Sequence, residues 1–192
     1  FINWTYFYHC WKTVPNSAAA EELRRDAEAL LNEIIALGAT MRCRIGFFEA
    51  HSKADNIIVK TPNGDITIAT PRQEPKENRK ALHALADFIA PKGLNDHIGC
   101  FTITIGEALR TMLAECDFEN DSYRHLLIQS VCDRLAEATS EWLHYHVRTK
   151  LWGYSPEEEL DFITIRQGKY QGIRPAIGYP SLPDQMLMHT LN

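Results

Sequence analysis

The segment richest in groups that could recognise a ligand runs Tyr170-Gln171-Gly172-Ile173-Arg174-Pro175-Ala176-Ile177-Gly178-Tyr179-Pro180. Arg174 offers a planar fork of donors that suits bidentate capture of a carboxylate or phosphate. Pro175 and Pro180 fix φ and remove backbone donors, and Gly172 and Gly178 permit conformations that other residues resist. A regular helix or a central strand is therefore excluded. The composition predicts an ordered, extended loop that presents one guanidinium and several backbone polar groups. A plain surface loop, with Arg174 paired to a neighbouring acid and Tyr179 packed down, accounts for the same residues.

Glu137 is the second candidate. Its neighbours in Leu135-Ala136-Glu137-Ala138 are apolar, so it is either a carboxylate near a buried stripe, which needs a partner, or an edge residue that reaches water. His144 and His146 invite a metal reading, but residues two apart on a helix point roughly 200° away from each other. They cannot share one ion there, and a zinc site needs further convergent ligands. Cys10, Cys43, Cys100, Cys116 and Cys132 include no Cys-x-x-Cys pair and read as free thiols in a reducing cytoplasm. Neither glycine-rich nucleotide pattern, Gly-x-Gly-x-x-Gly or Gly-x-x-x-x-Gly-Lys-Ser/Thr, occurs, nor does a Gly-x-Ser-x-Gly elbow. No catalytic residue and no metal ligand is assigned.

The elements that must position these residues follow from periodicity. Phe1 to Trp11 is aromatic on both parities and forms a short helix or an extended arm. Ser17 to Gly38 predicts a helix, capped by Asn16 or Ser17 and ended by Gly38. Arg42 to Ala50 predicts a strand. Ile57-Ile58-Val59 and Ile66-Thr67-Ile68-Ala69 flank Pro62-Asn63-Gly64-Asp65, a hairpin signal. A polar connection from Thr70 to Lys80 follows, then a short helical or extended piece from His83 to Ile89, and a strand from His97 to Ile105. The second half is helical: Glu107 to Cys116, then a long helix from Ser122 to Leu151 with Leu127, Val131, Leu135, Ala138, Trp142 and Tyr145 near one stripe. Gly153 ends it. Ser155-Pro156-Glu157-Glu158 reads as a capping box for a helix reaching Arg166. Strands with a hairpin followed by helices imply an α+β fold with a largely antiparallel sheet.

The 192 residues fit one domain, with lobes, and can bury a substantial core. Hydrophobic content of 45%, charged content of 23% and a formal charge of −5 are ordinary for a soluble protein. Nothing in them suggests bulk attraction to nucleic acid or an acidic membrane. No apolar run is long enough to cross a bilayer. Phe1 opens without a signal-peptide pattern or an initiating Met, which suggests a piece of something larger, located in the cytoplasm.

Arg174-Pro175-Ala176-Ile177-Gly178-Tyr179-Pro180 closely resembles the Arg-Pro-Ala-Pro-Gly-Tyr-Pro motif of the activation domain of cobalamin-dependent methionine synthase. Phe1-Ile2-Asn3-Trp4-Thr5-Tyr6-Phe7 is similar to that family's opening, usually Phe-Ile-Asp-Trp-Thr with aromatics following. Leu85-Ala86-Asp87-Phe88-Ile89-Ala90-Pro91, Asp96-His97-Ile98-Gly99-Cys100-Phe101, Asp133-Arg134-Leu135-Ala136-Glu137-Ala138 and Leu151-Trp152-Gly153-Tyr154 resemble its later landmarks, in family order and across nearly the whole chain.

The resemblance implies a curved sheet flanked by helices in a C-shaped single domain, over residues 1–192, without the family's C-terminal segment. It implies an S-adenosylmethionine-binding reactivation module that supports reductive methylation of cob(II)alamin to methylcobalamin. Cobalamin would be held mainly by a neighbouring domain of the same or a partner chain, and a flavodoxin-type donor would supply the electron. The cofactors carry that chemistry and the protein orients them, so the isolated chain is expected to be inactive. By the same resemblance, Arg174 holds the ligand carboxylate, the backbone around Ala176 meets the adenine, Tyr179 lines the site, and Asn3 and Glu137 contact its polar end and sugar. Two positions depart from the family. Asn3 stands where Asp is usual, and Gly168 stands where some relatives carry Glu. These departures leave open an alternative: a non-enzymatic docking module for a corrinoid protein that has lost S-adenosylmethionine binding.

Overall fold

A computed structural model of the protein describes residues 1–75 and 82–190. These fall into a helical unit, 1–44 with 102–172, and a sheet unit, 45–101 with 173 onward.

In the helical unit the aromatic opening becomes helix α1, Trp4–Cys10. Asn3 caps it, its side-chain oxygen accepting from the Tyr6 amide at 3.0 Å. Helix α2 spans Ala18–Ala36 and Ser17 is its cap, with the hydroxyl oxygen accepting from the Ala20 amide at 3.2 Å. Helix α3 is Glu107–Glu115. Gly106, just before it, donates to the Thr40 carbonyl at 2.8 Å. A Cβ at Gly106 would lie 2.3 Å from that oxygen, so only glycine allows the approach. Helix α4 runs Ser122–His146 and continues as a π turn, Val147–Leu151. Phe7, Leu23, Ala27, Leu30, Leu109, Leu127, Ile128 and Val131 form the core of this unit.

The second half of α4 departs from the expected stripe. Trp142 is 44% exposed, whereas Leu143, His144, Val147 and Arg148 are buried. At about 100° per residue, Leu143 and Val147 lie roughly 160–200° around the helix from Leu127. The helix therefore buries one face against the α1–α3 core and, about three turns further on, nearly the opposite face. Trp142 instead stacks on His146, ring centroids 4.0 Å apart.

The expected helix from Ser155 to Arg166 is also corrected. Only Phe162–Arg166 is helical, as α5, with Asp161 as its cap. The capping box fails because both of its side chains are engaged elsewhere. The Glu158 carboxylate binds Arg148, and the Ser155 hydroxyl donates to the Gln171 side-chain oxygen at 2.9 Å.

The fold carries a four-stranded sheet in the order β3-β2-β1-β4, with β1 Met41–Lys53, β2 Asn56–Val59, β3 Ile66–Ala69 and β4 Asp96–Ile105. β1 pairs antiparallel with β2, and β2 antiparallel with β3. Strand β1 outruns its expected end at Ala50 and turns into β2 through Ala54 and Asp55 alone, Lys53 facing Asn56. The Asn63-Gly64 signal does mark a connection, but a six-residue one, since Val59 pairs with Ile66. The expected piece after His83 is a 3-10 turn, Leu85–Phe88. The connection expected from Thr70 to Lys80 lies partly outside the described residues. A short helix α6, Leu187–Thr190, follows the Arg174 loop. Ala50, Ile57, Val59, Ile68, Ala86 and Leu187 form the core of the sheet unit. Among the described residues no helix is long and apolar enough to cross a membrane.

Candidate functional site

Arg174, Ala176 and Tyr179 lie in the sheet unit. Ile177, Leu182 and Leu187 pack on or within its core, and this holds the loop down from beneath. The turn above is closed by backbone bonds: Tyr179 N to Ala176 O at 3.3 Å, Leu182 N to Tyr179 O at 2.8 Å, and Gly178 N to Leu182 O at 2.8 Å. Gly178 sits at φ +89°, a region that favours glycine. Arg174 is half-buried and Ala176 exposed. Tyr179 is 62% exposed, so its ring is not packed into the loop. A fixed backbone thus presents a small residue and an aromatic ring two and five positions after a guanidinium.

Asn3 and Glu137 lie in the helical unit. Glu137 lies on α4 and is exposed, which answers the question of burial in favour of the edge position. Asn3 is more constrained than the sequence suggests. Its side-chain oxygen also accepts from an Arg166 guanidinium nitrogen at 2.7 Å, so a cation already occupies the position where a carboxylate at residue 3 would act. Arg134, three residues before Glu137, lies over the Tyr6 ring at 4.4 Å. Neither arginine was marked by spacing, because Arg on an amphipathic helix ordinarily reads as a solvated residue.

Gly168 has a structural account. It follows α5 at φ +68°, its amide donating to Ile165 O at 2.9 Å and that of Lys169 to Thr164 O at 3.2 Å. This is the left-handed helix terminus at which glycine is favoured. Gly168 thus acts as a helix stop in this chain.

The two histidines diverge as helical geometry requires. His144 Nδ1 is 2.8 Å from an Arg148 guanidinium nitrogen, and His146 Nδ1 is 3.0 Å from the Trp142 carbonyl. Among the described residues no group of three or more His, Cys, Asp or Glu side chains is placed to hold a metal ion. All five cysteines are free, and burial raises the pKa of Cys132 to about 11 and also that of Cys100.

Residues 1–192 match the family model described as vitamin B12 dependent methionine synthase, activation domain. The chain is also similar to a crystal structure of the MetH reactivation domain bound to AdoHcy, with a TM-score of 0.89 and 32% sequence identity over 99% of this chain. It spans 64% of the length of that solved chain.

Proposed function

The chain belongs to the activation-domain family of vitamin B12 dependent methionine synthases, and we propose that it binds S-adenosylmethionine through the Arg174–Pro180 loop and serves as the reactivation module of such an enzyme. The observation that carries this reading is the loop itself. Arg174, Ala176 and Tyr179 stand on one backbone-closed turn, with the tyrosine ring exposed. The likeness to a reactivation domain bound to AdoHcy supports the ligand class.

The donor set fits such a ligand. A guanidinium can bind the amino-acid carboxylate bidentately. Small residues at 176 and 178 leave room for a planar base to approach the main chain, and Tyr179 offers a ring face. Asn3 and Glu137 are assigned to the ligand's polar end and sugar. The chemistry supplied by the bound groups is methyl transfer from S-adenosylmethionine, leaving S-adenosylhomocysteine, to cobalamin held mainly by a neighbouring domain, after one electron from a flavodoxin-type donor. The part of this chain is to bind, orient and exclude water, with no acid, base or nucleophile of its own.

Arg174→Ala tests the reading. Calorimetry is expected to show S-adenosylmethionine binding weakened by about 2–4 kcal/mol, the range for truncating one partner of a desolvated charged contact, with the circular dichroism spectrum kept. Unchanged affinity in the variant would remove Arg174 from the site. Absence of binding by the unaltered chain would leave the docking-module reading in its place.

A further inference from the structure

Arg148 is completely buried, inside the π turn that ends the long helix. The contacts of its guanidinium are directional. Nε and one terminal nitrogen donate to the two Glu158 oxygens at 2.7 and 2.5 Å. The other terminal nitrogen lies 2.8 Å from His144 Nδ1. Its plane sits over the Tyr170 ring, 4.1 Å from the centroid. Arginine can only donate, so His144 Nδ1 accepts and the imidazole carries its proton on Nε2. His144 also meets the edge of Tyr170, centroids 4.9 Å apart.

One of the groups that surround Arg148, Tyr170, belongs to the segment that precedes the ligand loop. Tyr170 is four residues before Arg174. Gln171 is held at both ends, its side-chain oxygen accepting from Ser155 Oγ at 2.9 Å and its carbonyl from Tyr154 Oη at 3.4 Å. Gly172 is at φ +89°, and a Cβ there would lie 2.9 Å from Tyr154 Oη. The Ser155 amide in turn donates to the Arg148 carbonyl at 2.9 Å. The π turn follows the last α-helical turn of α4. Here it places Arg148 on the buried side, opposite Glu158.

We propose that Arg148 is a positioning residue: with Glu158, His144 and Tyr170 it forms a buried anchor that fixes the Tyr170–Gly172 stem from which the ligand loop departs. The inference rests on the loop being the S-adenosylmethionine site, but the anchor itself can be tested without ligand. A buried ion pair is replaceable by apolar residues of similar volume with little loss of stability, whereas its directional hold on a stem is not. Stability and positioning can therefore be separated.

The test is the double variant R148M/E158L in the full chain, read by its melting temperature, by trypsin cleavage at Lys169–Tyr170 relative to Arg24–Arg25 within α2, and by S-adenosylmethionine calorimetry. Native cleavage at the stem reports local opening, and cleavage in α2 reports opening of the helical core. The double variant is expected to melt close to the unaltered chain, with the stem cut at least about tenfold faster relative to α2 and the ligand Kd raised about tenfold or more. A folded double variant with the unaltered cleavage ratio overturns the anchor. A loosened stem with unaltered Kd overturns its service to the loop. If the unaltered chain binds no S-adenosylmethionine, the functional reading fails and the cleavage ratio alone decides the anchor. Should the double variant not fold, Tyr170→Leu removes the stacking face alone. A several-fold rise in relative stem cleavage is expected, and no rise overturns the proposal.

Discussion

Two arginines, Arg72 in the sheet unit and Arg148 in the helical unit, make nearly the same bonds in opposite surroundings. Arg72 forks onto both Asp87 oxygens at 2.7 and 2.8 Å, reaches Asp55 at 2.6 Å and also binds the Leu82 carbonyl. It thereby ties the β1–β2 turn to the 3-10 turn. The Arg72 side chain is 36% exposed and that of Asp87 34%. Arg148 and Glu158 are 0% and 5% exposed. Water competes for the first pair and screens it, so the attraction is small and salt-dependent. The second pair has lost its hydration, and each charge depends on the other. The same bonding pattern thus serves as a surface clasp in one unit and a structural commitment in the other.

The largest effect should come from breaking the buried pair on one side. Glu158→Gln leaves Arg148 charged and uncompensated, and a loss of about 3–5 kcal/mol is expected. Urea denaturation of the variant beside the unaltered chain checks this. A loss below about 1 kcal/mol, the value expected of an exposed pair, would mean that burial does not distinguish the two arginines.

The same contrast explains what could be read in the sequence. Ser17, Gly38 and Gly153 act locally, at helix ends, so α2 and the end of the long helix were legible. The Arg174 loop was legible because Pro175, Pro180, Gly172 and Gly178 forbid regular structure by themselves. The Arg148 centre was not. Its carboxylate lies ten residues on, across a turn, and Ser155 and Glu158 match a helix start until Gln171 and Arg148 claim their side chains. The stripe on α4 failed for the same reason, because His144 and Arg148 are polar and their burial depends on the returning segment. The β1–β2 turn gave no signal either. Ala54 takes φ +52°, unusual for a residue with a Cβ, and Asp55 beside it is held by Arg72 from beyond β3. Of the assigned site residues, Asn3 was recognisable by resemblance, but its bond to Arg166 joins residues 163 positions apart.

The exposed pair should show itself through pH. Hydrogen bonds from Arg72, then from the Ala84 amide, hold the Asp87 carboxyl well below the usual carboxylate range. A depressed folded-state value means that the stabilising contribution is complete above the unfolded value of about 3.9 and is lost as pH falls through the folded one. The stability difference between the unaltered chain and Asp87→Asn is therefore expected to be constant from neutral pH down to about pH 5 and to shrink below about pH 4. It should also be smaller in 1 M than in 0.1 M salt. Thermal melts across that pH range check this. A difference that grows on acidification would mean that another group carries the linkage.

The smallest effect concerns a third arginine, Arg166, whose partner at Asn3 is neutral. Asn3→Asp keeps the cap, because Asn and Asp cap helices about equally well, and the oxygen that accepts from Tyr6 N and Arg166 is retained. What changes is charge. The new carboxylate forms an exposed ion pair with Arg166, so stability should rise by no more than about 1 kcal/mol, and less in high salt. The same pairing limits what the charge can do for a ligand. If S-adenosylmethionine places its ammonium or sulfonium near residue 3, a carboxylate already shared with Arg166 attracts it less than an unpaired one, and the gain in affinity should stay below about 1 kcal/mol. Calorimetry of both proteins at two salt concentrations decides this. A gain above tenfold that persists in high salt would show that the carboxylate leaves Arg166 for the ligand. Tight binding by the unaltered chain with no gain at either salt concentration would place Asn3 in helix capping alone and remove it from the site.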